Sequence, residues 1–167
     1  MPKLIVLTGA SGSGKTTLAN AAASKHGARI EVLFFDSIGV PPAEEMISKF
    51  GSGEAWQRAK TLEWMKRIAA IKSESSVLFE GQMRISFIHE ALASASIHSA
   101  HIILVDCDDK TRMHRLVMDR TQDELASPTM MNWARFLRNE ALGRDHEILD
   151  TSRLDVDACV ERICRHI

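Results

Sequence analysis

The sequence predicts an α/β fold in three α/β/α layers on a five-stranded parallel sheet. Three observations predict it. Five short apolar runs recur along the 167 residues, and none alternates apolar with polar. Continuous runs of this kind suit parallel strands covered on both faces. Helical stripes separate the runs, so strand and helix alternate, as they do when helices flank a parallel sheet through right-handed crossovers. Finally, a chain of this length, 45% hydrophobic and 26% charged, buries one core without disulfides or metal staples.

Taken in order, residues 4–7 form the first run, and the alanine-rich segment 16–26 is its helix. The second run is 32–35. The connection from there to the third run, 77–79, is longer than one crossover needs. It holds Pro41-Pro42, a Gly51-Ser52-Gly53 break and the helical stripe Ala55, Ala59, Leu62, Met65 and Ala69. A helical insert on the acceptor side is expected at about 39–73, within a single domain spanning 1–167. Trp56 and Trp64 in it read as core or as pocket walls. The stripe Ile85, Ile88, Leu92 precedes the fourth run, 102–105. Met113, Leu116 and Val117 follow, then a short polar segment read as a lid at about 119–128. Ser127 before Pro128 reads as an N-cap with proline at the first helical position, and Gly143 as the stop of the stripe Met130, Ala134, Leu137, Ala141. After the fifth run, 148–149, Asp155 caps a helix carrying Val156, Val160, Ile163 and Ile167.

Net charge is −1, so no broad basic field advertises nucleic acid or an anionic membrane. No apolar run approaches the ~18 residues a membrane-spanning helix needs. Three cysteines without CxxC spacing read as reduced thiols, which points to the cytoplasm. The opening segment reads as a buried strand and not as a leader peptide. The seven histidines show no H-x-x-x-H or HExxH spacing, and no structural metal site is expected from them.

Gly9-Ala10-Ser11-Gly12-Ser13-Gly14-Lys15-Thr16 fits G-x-x-x-x-G-K-[ST], placed between a strand and a helix. Glycines let the backbone curl until successive N–H groups face one concavity, and the following helix adds its positive end. Lys15 supplies a compact cation for the β- and γ-phosphates, and the Thr16 hydroxyl, followed by Thr17, a ligand for Mg²⁺. ATP and Mg²⁺ are the expected cofactors. A dinucleotide-binding fingerprint fails, because Lys15-Thr16-Thr17 follows where x-x-Gly is required. Asp36-Ser37-Ile38-Gly39 matches the D-x-x-G of GTPases, but no Asn-Lys-x-Asp follows to read guanine. A nucleotide-gated switch and a catalytically inactive binding module stand as alternatives to an enzyme.

The third run ends Glu80-Gly81-Gln82-Met83-Arg84. A strand-end acid opposite the phosphate loop suits a Mg²⁺-bound water. Here the chain resembles the nucleotide kinases; adenylate kinases carry Asp-Gly-x-x-Arg, with the arginine on the acceptor's phosphate. Glutamate replaces aspartate in this chain. The resemblance extends to shikimate kinase, gluconate kinase and chloramphenicol phosphotransferase. It implies the P-loop nucleotide-kinase fold with strand order 2-3-1-4-5 and transfer of the γ-phosphoryl group of ATP to a small-molecule acceptor. It implies that Glu80, Gln82 and Arg84 face the acceptor, and that Asp36, just past the second run, orients the attacking hydroxyl. Shikimate itself is not expected, since Asp-x-Asp and a glycine triplet are missing. Nine of thirteen arginines lie beyond residue 110. Arg115 and Arg120 border the segment that resembles the kinase lid, and Arg135 and Arg138 resemble the arginines that follow it. Arg120 and Arg138 join Lys15 and Asp36 as expected catalytic groups, and Arg115 is expected on the nucleotide. Leu149-Asp150-Thr151-Ser152-Arg153 resembles the loop beside adenine, with Arg153 stacking on the base. The partner expected is a small molecule, the protein being a monomer or homodimer.

Overall fold

A computed structural model describes residues 2–167. Strands β1 (Leu4–Thr8), β2 (Ile30–Phe34), β3 (Ser76–Gly81), β4 (Ala100–Asp106) and β5 (Glu147–Asp150) form one parallel sheet in the order β2-β3-β1-β4-β5. The expected order is the observed one. All five residues of β1 are buried, because β3 and β4 flank it and helices cover both its faces. That explains its unbroken apolar run.

The covering helices are α1 (Lys15–His26), α2 (Ala43–Phe50), α3 (Gly53–Ala69), α4 (Ile85–Ser94), α5 (Asp109–His114), α6 (Pro128–Leu142) and α7 (Val156–Cys164). One core layer packs α1 and α7 on Ile5, Leu7, Ile103 and Leu149. The opposite layer packs α3 and α4 on Val6, Val77 and Phe79, with α6 alongside on Leu104. Ser127 caps α6 by accepting from the Met130 amide at 3.3 Å, and Asp155 caps α7 through the Ala158 amide at 2.8 Å.

Three details differ from the sequence reading. The second strand ends at Phe34, and Phe35–Ile38 close a 3₁₀ turn that carries Asp36. Phe35 leaves the strand because its ring is buried against Trp56 and Phe79. Gly81 makes room for that turn: a Cβ there would lie 2.4 Å from Phe35 Cβ. Second, α6 buries Met131 on its stripe, while Met130 is only partly buried. Third, the helix over Met113 to Val117 changes pitch. Arg115–Asp119 form a π turn in which the Arg120 amide donates to Arg115 O at 3.1 Å.

Within 39–73, α3 lies on the sheet with Trp56, Trp64, Met65 and Ile68 buried, and Trp64 Nε1 donates to Phe35 O at 3.1 Å. Helix α2 buries no residue and leans on α3. No helix among the described residues is long and apolar enough to cross a membrane.

Candidate active site

The phosphate loop leaves β1 at Thr8 and enters α1 at Lys15. Gly12 and Gly14 hold φ of +78° and +99°, which turns the backbone into a cradle. Among the described residues no side chain caps α1, and its first turn holds no acid. The end of the helix is thus left to an anion. Ser13 Oγ is buried there without a hydrogen-bond partner among the described residues.

Lys15 is buried at the mouth of this cradle, its Nζ donating to Ala10 O at 3.3 Å. Burial lowers its pKa from 10.5 to about 8, with Arg120 and Arg112 adding to the shift and Glu80 and Asp36 opposing it. Burial pushes the Glu80 carboxyl the other way, above the usual range, against the pull of Lys15 and of a Thr16 hydrogen bond. The Thr16 hydroxyl donates to Glu80 Oε2 at 3.2 Å. A buried cation beside an uncapped helix end fits phosphate oxygens. A hydroxyl beside a carboxylate fits a hard, oxygen-seeking cation such as Mg²⁺.

One cavity of about 380 Å³ gathers Lys15, Thr16, Asp36, Glu80, Gln82 and Arg120. Residues 9–17, 80–82 and 36 meet because β1 and β3 are neighbours and β2 pairs with β3, so all three strand ends open on one edge of the sheet. Asp36 and Arg120 are exposed at its rim. Gln82 Oε1 accepts from Ser11 Oγ at 3.2 Å, which links the acceptor side to the loop. Arg84 stands one cavity further out, in a space of about 370 Å³ shared with Gln82 and Trp133. It pairs with Glu54 at 2.8 Å and packs over Phe87, Trp133 and Phe136, closest to Phe136 at 4.7 Å.

On the other side of the loop a cavity of about 420 Å³ is lined by Gly14, Thr17, Arg115, Thr151, Leu154 and Val156. Its apolar wall and the adjoining loop amides suit a nucleobase and its ribose. Arg115 Nη1 donates to Gly12 O at 3.1 Å, Ser13 O at 3.2 Å and Thr151 Oγ1 at 2.8 Å. Arg153 lies outside this cavity, its side chain 85% exposed beside Asp150. Sequence reasoning missed Leu154 and the place of Val156 in this cavity; the signal was an apolar residue on either side of the helix cap Asp155, just past the Asp-Thr-Ser turn.

Sequence reasoning also missed Arg112 and Asp106. Arg112 is wholly buried, with Nη2 on Asp106 Oδ1 at 2.6 Å and Nη1 on Ser11 O at 2.8 Å. The other Asp106 oxygen accepts from Arg138 Nη1 at 2.7 Å. Arg138 is thereby held beside Asp106, behind the loop, and does not line the cavity of Lys15 and Glu80. Arg135 pairs at the surface with Asp109.

Residues 5–149 match the family model of the AAA domain. The chain belongs to that family. No curated protein matches it. Among solved structures this AAA-domain chain is similar to shikimate kinase from Acinetobacter baumannii in complex with shikimate, at 19% identity and TM-score 0.62, covering 99% of this chain and 92% of that one. It is similar to a gluconokinase from Sinorhizobium meliloti 1021, at 18% identity and TM-score 0.64, covering 99% and 91%. The tunicamycin resistance protein of Deinococcus radiodurans aligns at 16% identity and TM-score 0.68, covering 99% and 95%. The AAA-domain chain thus has the fold of the P-loop small-molecule kinases, with the sheet order and phosphate loop that define it.

Proposed function

We propose that this AAA-domain protein is a phosphotransferase that moves the γ-phosphoryl group of Mg·ATP to a hydroxyl or phosphate of a small-molecule acceptor. The observation that carries the reading is the single cavity uniting Lys15, Thr16 and Glu80 with Asp36, Gln82 and Arg120. ATP supplies the phosphoryl group, and Mg²⁺ offsets the charge on its oxygens. Residues 9–17 hold the phosphates, Thr16 binds the metal, and Glu80 binds it through water. Lys15 neutralises charge that develops on the oxygens passing between donor and acceptor. Asp36, at the rim of the same cavity, orients the acceptor hydroxyl and accepts its proton. Gln82 and Arg84 bind the rest of the acceptor. Segment 119–128 closes with Arg120 over the reaction and excludes water, which prevents unproductive hydrolysis. A role for Arg138 at the phosphates requires it to exchange Asp106 for a phosphate oxygen.

Incubation of the purified protein with γ-labelled ATP, Mg²⁺ and a metabolite library tests the proposal. Label is expected on one acceptor class. Label released only as inorganic phosphate, or hydrolysis that needs a macromolecular partner, would refute it in favour of a switch.

A further inference from the structure

The sheet edge opposite the phosphate loop collects four of the seven histidines: His89, His101, His146 and His166. Strand alternation divides them. His146 and Glu147 are consecutive at the entry to β5 and point to opposite faces of the sheet. On one face His146 meets His89 of α4, with Nε2 atoms 2.8 Å apart. On the other, Glu147 is in register with Ile103, and His101, two residues earlier on β4, shares that face. Helix α7 packs on the same face through Cys159 and Ile163, and the turn after it delivers His166. Glu147 Oε2 then lies 3.3 Å from His101 Nε2 and 3.3 Å from His166 Nε2.

We propose that His101, Glu147 and His166 form a binding site for a divalent transition metal, with zinc as the ion it fits. Ligands about 2.0–2.1 Å from a tetrahedral zinc stand roughly 3.3 Å from one another. Both measured separations from the carboxylate oxygen have that length. Two imidazoles and one carboxylate form a zinc donor set, and imidazole nitrogen selects against Mg²⁺ and Ca²⁺. The two rings are stacked, with centroids 3.3 Å apart and planes 18° from parallel. An imidazole ligates in its own plane, so the rings must pivot to converge. That pivot is about the soft χ2 torsion, and the side chains are 39% and 27% exposed, so little packing resists it. The same exposure leaves the fourth position to water.

The site is remote from phosphate chemistry. His101 is the second residue of the strand that ends at Asp106, roughly 16 Å away at 3.3 Å per residue. A metal here pins the segment after α7 to β4 and β5 and acts on stability. Sequence spacing hid the site because Glu147 is 46 residues from His101 and 19 from His166.

Calorimetric titration of the whole, chelator-treated chain with Zn²⁺ tests the site, with excess Mg²⁺ present to occupy the oxygen ligands around Glu80. One zinc per chain is expected. His166→Ala and Glu147→Gln should each weaken binding at least tenfold while circular dichroism stays unchanged, and His89→Ala, on the other face, should leave it as it is. Zinc should raise the melting temperature of the natural protein and not that of His166→Ala. Absence of zinc binding, a loss of less than tenfold in either ligand variant, or an equal loss in His89→Ala would overturn the proposal.

Discussion

Replacing Arg112 by methionine isolates the buried pair behind the phosphate loop. Arg112 is fully buried and Asp106 is 5% exposed, so the pair is shielded from water. Removing one partner of such a pair costs about 3–5 kcal/mol, because the remaining charge stays buried without compensation. Here Arg138 keeps its 2.7 Å contact with the second Asp106 oxygen, from a side chain that is 44% exposed. The loss should therefore sit at the lower end, ~3 kcal/mol. For a chain of this size that is a fall of roughly 6–12 °C in melting temperature. Urea unfolding followed by circular dichroism measures the first figure and calorimetry the second. Adding Asp106→Leu should recover most of the loss, since the buried carboxylate that had lost one of its two arginine partners is removed. The variant should also bind nucleotide more weakly, because Ser11 O loses its donor. A cost under ~1 kcal/mol, or no recovery in the double variant, would show that the pair is solvated and the reasoning wrong.

Lys15→Ala should lower phosphoryl transfer by several orders of magnitude in a labelled-ATP assay, with the fold retained by circular dichroism. Asp36→Asn should reduce turnover far more than calorimetric ATP affinity, and an affinity loss alone would assign Asp36 to the nucleotide. Gly81→Ala should cost ~1–3 kcal/mol by overpacking and displace the turn of Asp36, since the new methyl meets Phe35 Cβ at 2.4 Å. Its urea midpoint and its turnover should fall together. Burial takes Lys15 from 10.5 to about 8, so between those pH values the unfolded chain holds a proton that the folded chain has lost. Stability should then rise with pH across that window, and Lys15→Met should be the more stable protein at pH 7 by up to ~3 kcal/mol, an advantage that fades towards pH 10.5. Paired urea melts at the two pH values check the sign.

The sheet was legible because its central strand is buried on both faces and must be apolar throughout, and the edge strands β2 and β5 keep shorter apolar runs, a local property of sequence. Ser127-Pro128 and Asp155 were legible because a cap acts over three residues. The phosphate loop was legible for the same reason: all its groups lie within one turn of backbone. Asp36 could be placed near the cavity, but not in a 3₁₀ turn, because the ring of Phe35 and the bare Cα of Gly81 decide that turn from different segments. Arg112 and Asp106 lie six residues apart, yet their burial depends on the phosphate loop, whose Ser11 is 101 residues from Arg112 in the chain. The histidines converge only through strand register and the docking of α7.

The crowding of arginines beyond residue 110 suggests a set of hands closing on phosphate, and the structure divides that labour differently. Arg112 holds Ser11 O, and Arg115 holds Gly12 O and Ser13 O. In a planar trans peptide the next N–H points away from the carbonyl. A carbonyl fixed from behind at Ser11 or Ser13 therefore aims the amide of Gly12 or Gly14 the other way. The two arginines thus set the direction of the loop's donors before any ligand arrives, which is the condition under which fixed dipoles stabilise charge without reorganising. Arg120 is exposed at the rim between both cavities and close enough to depress Lys15. Of the three, it alone lines the cavity of Lys15 and Glu80, and the π turn before it interrupts the regular helical hydrogen bonding after Arg115. Motion on closure should accordingly be concentrated after Arg115, with Arg112 and Arg115 remaining on the loop throughout.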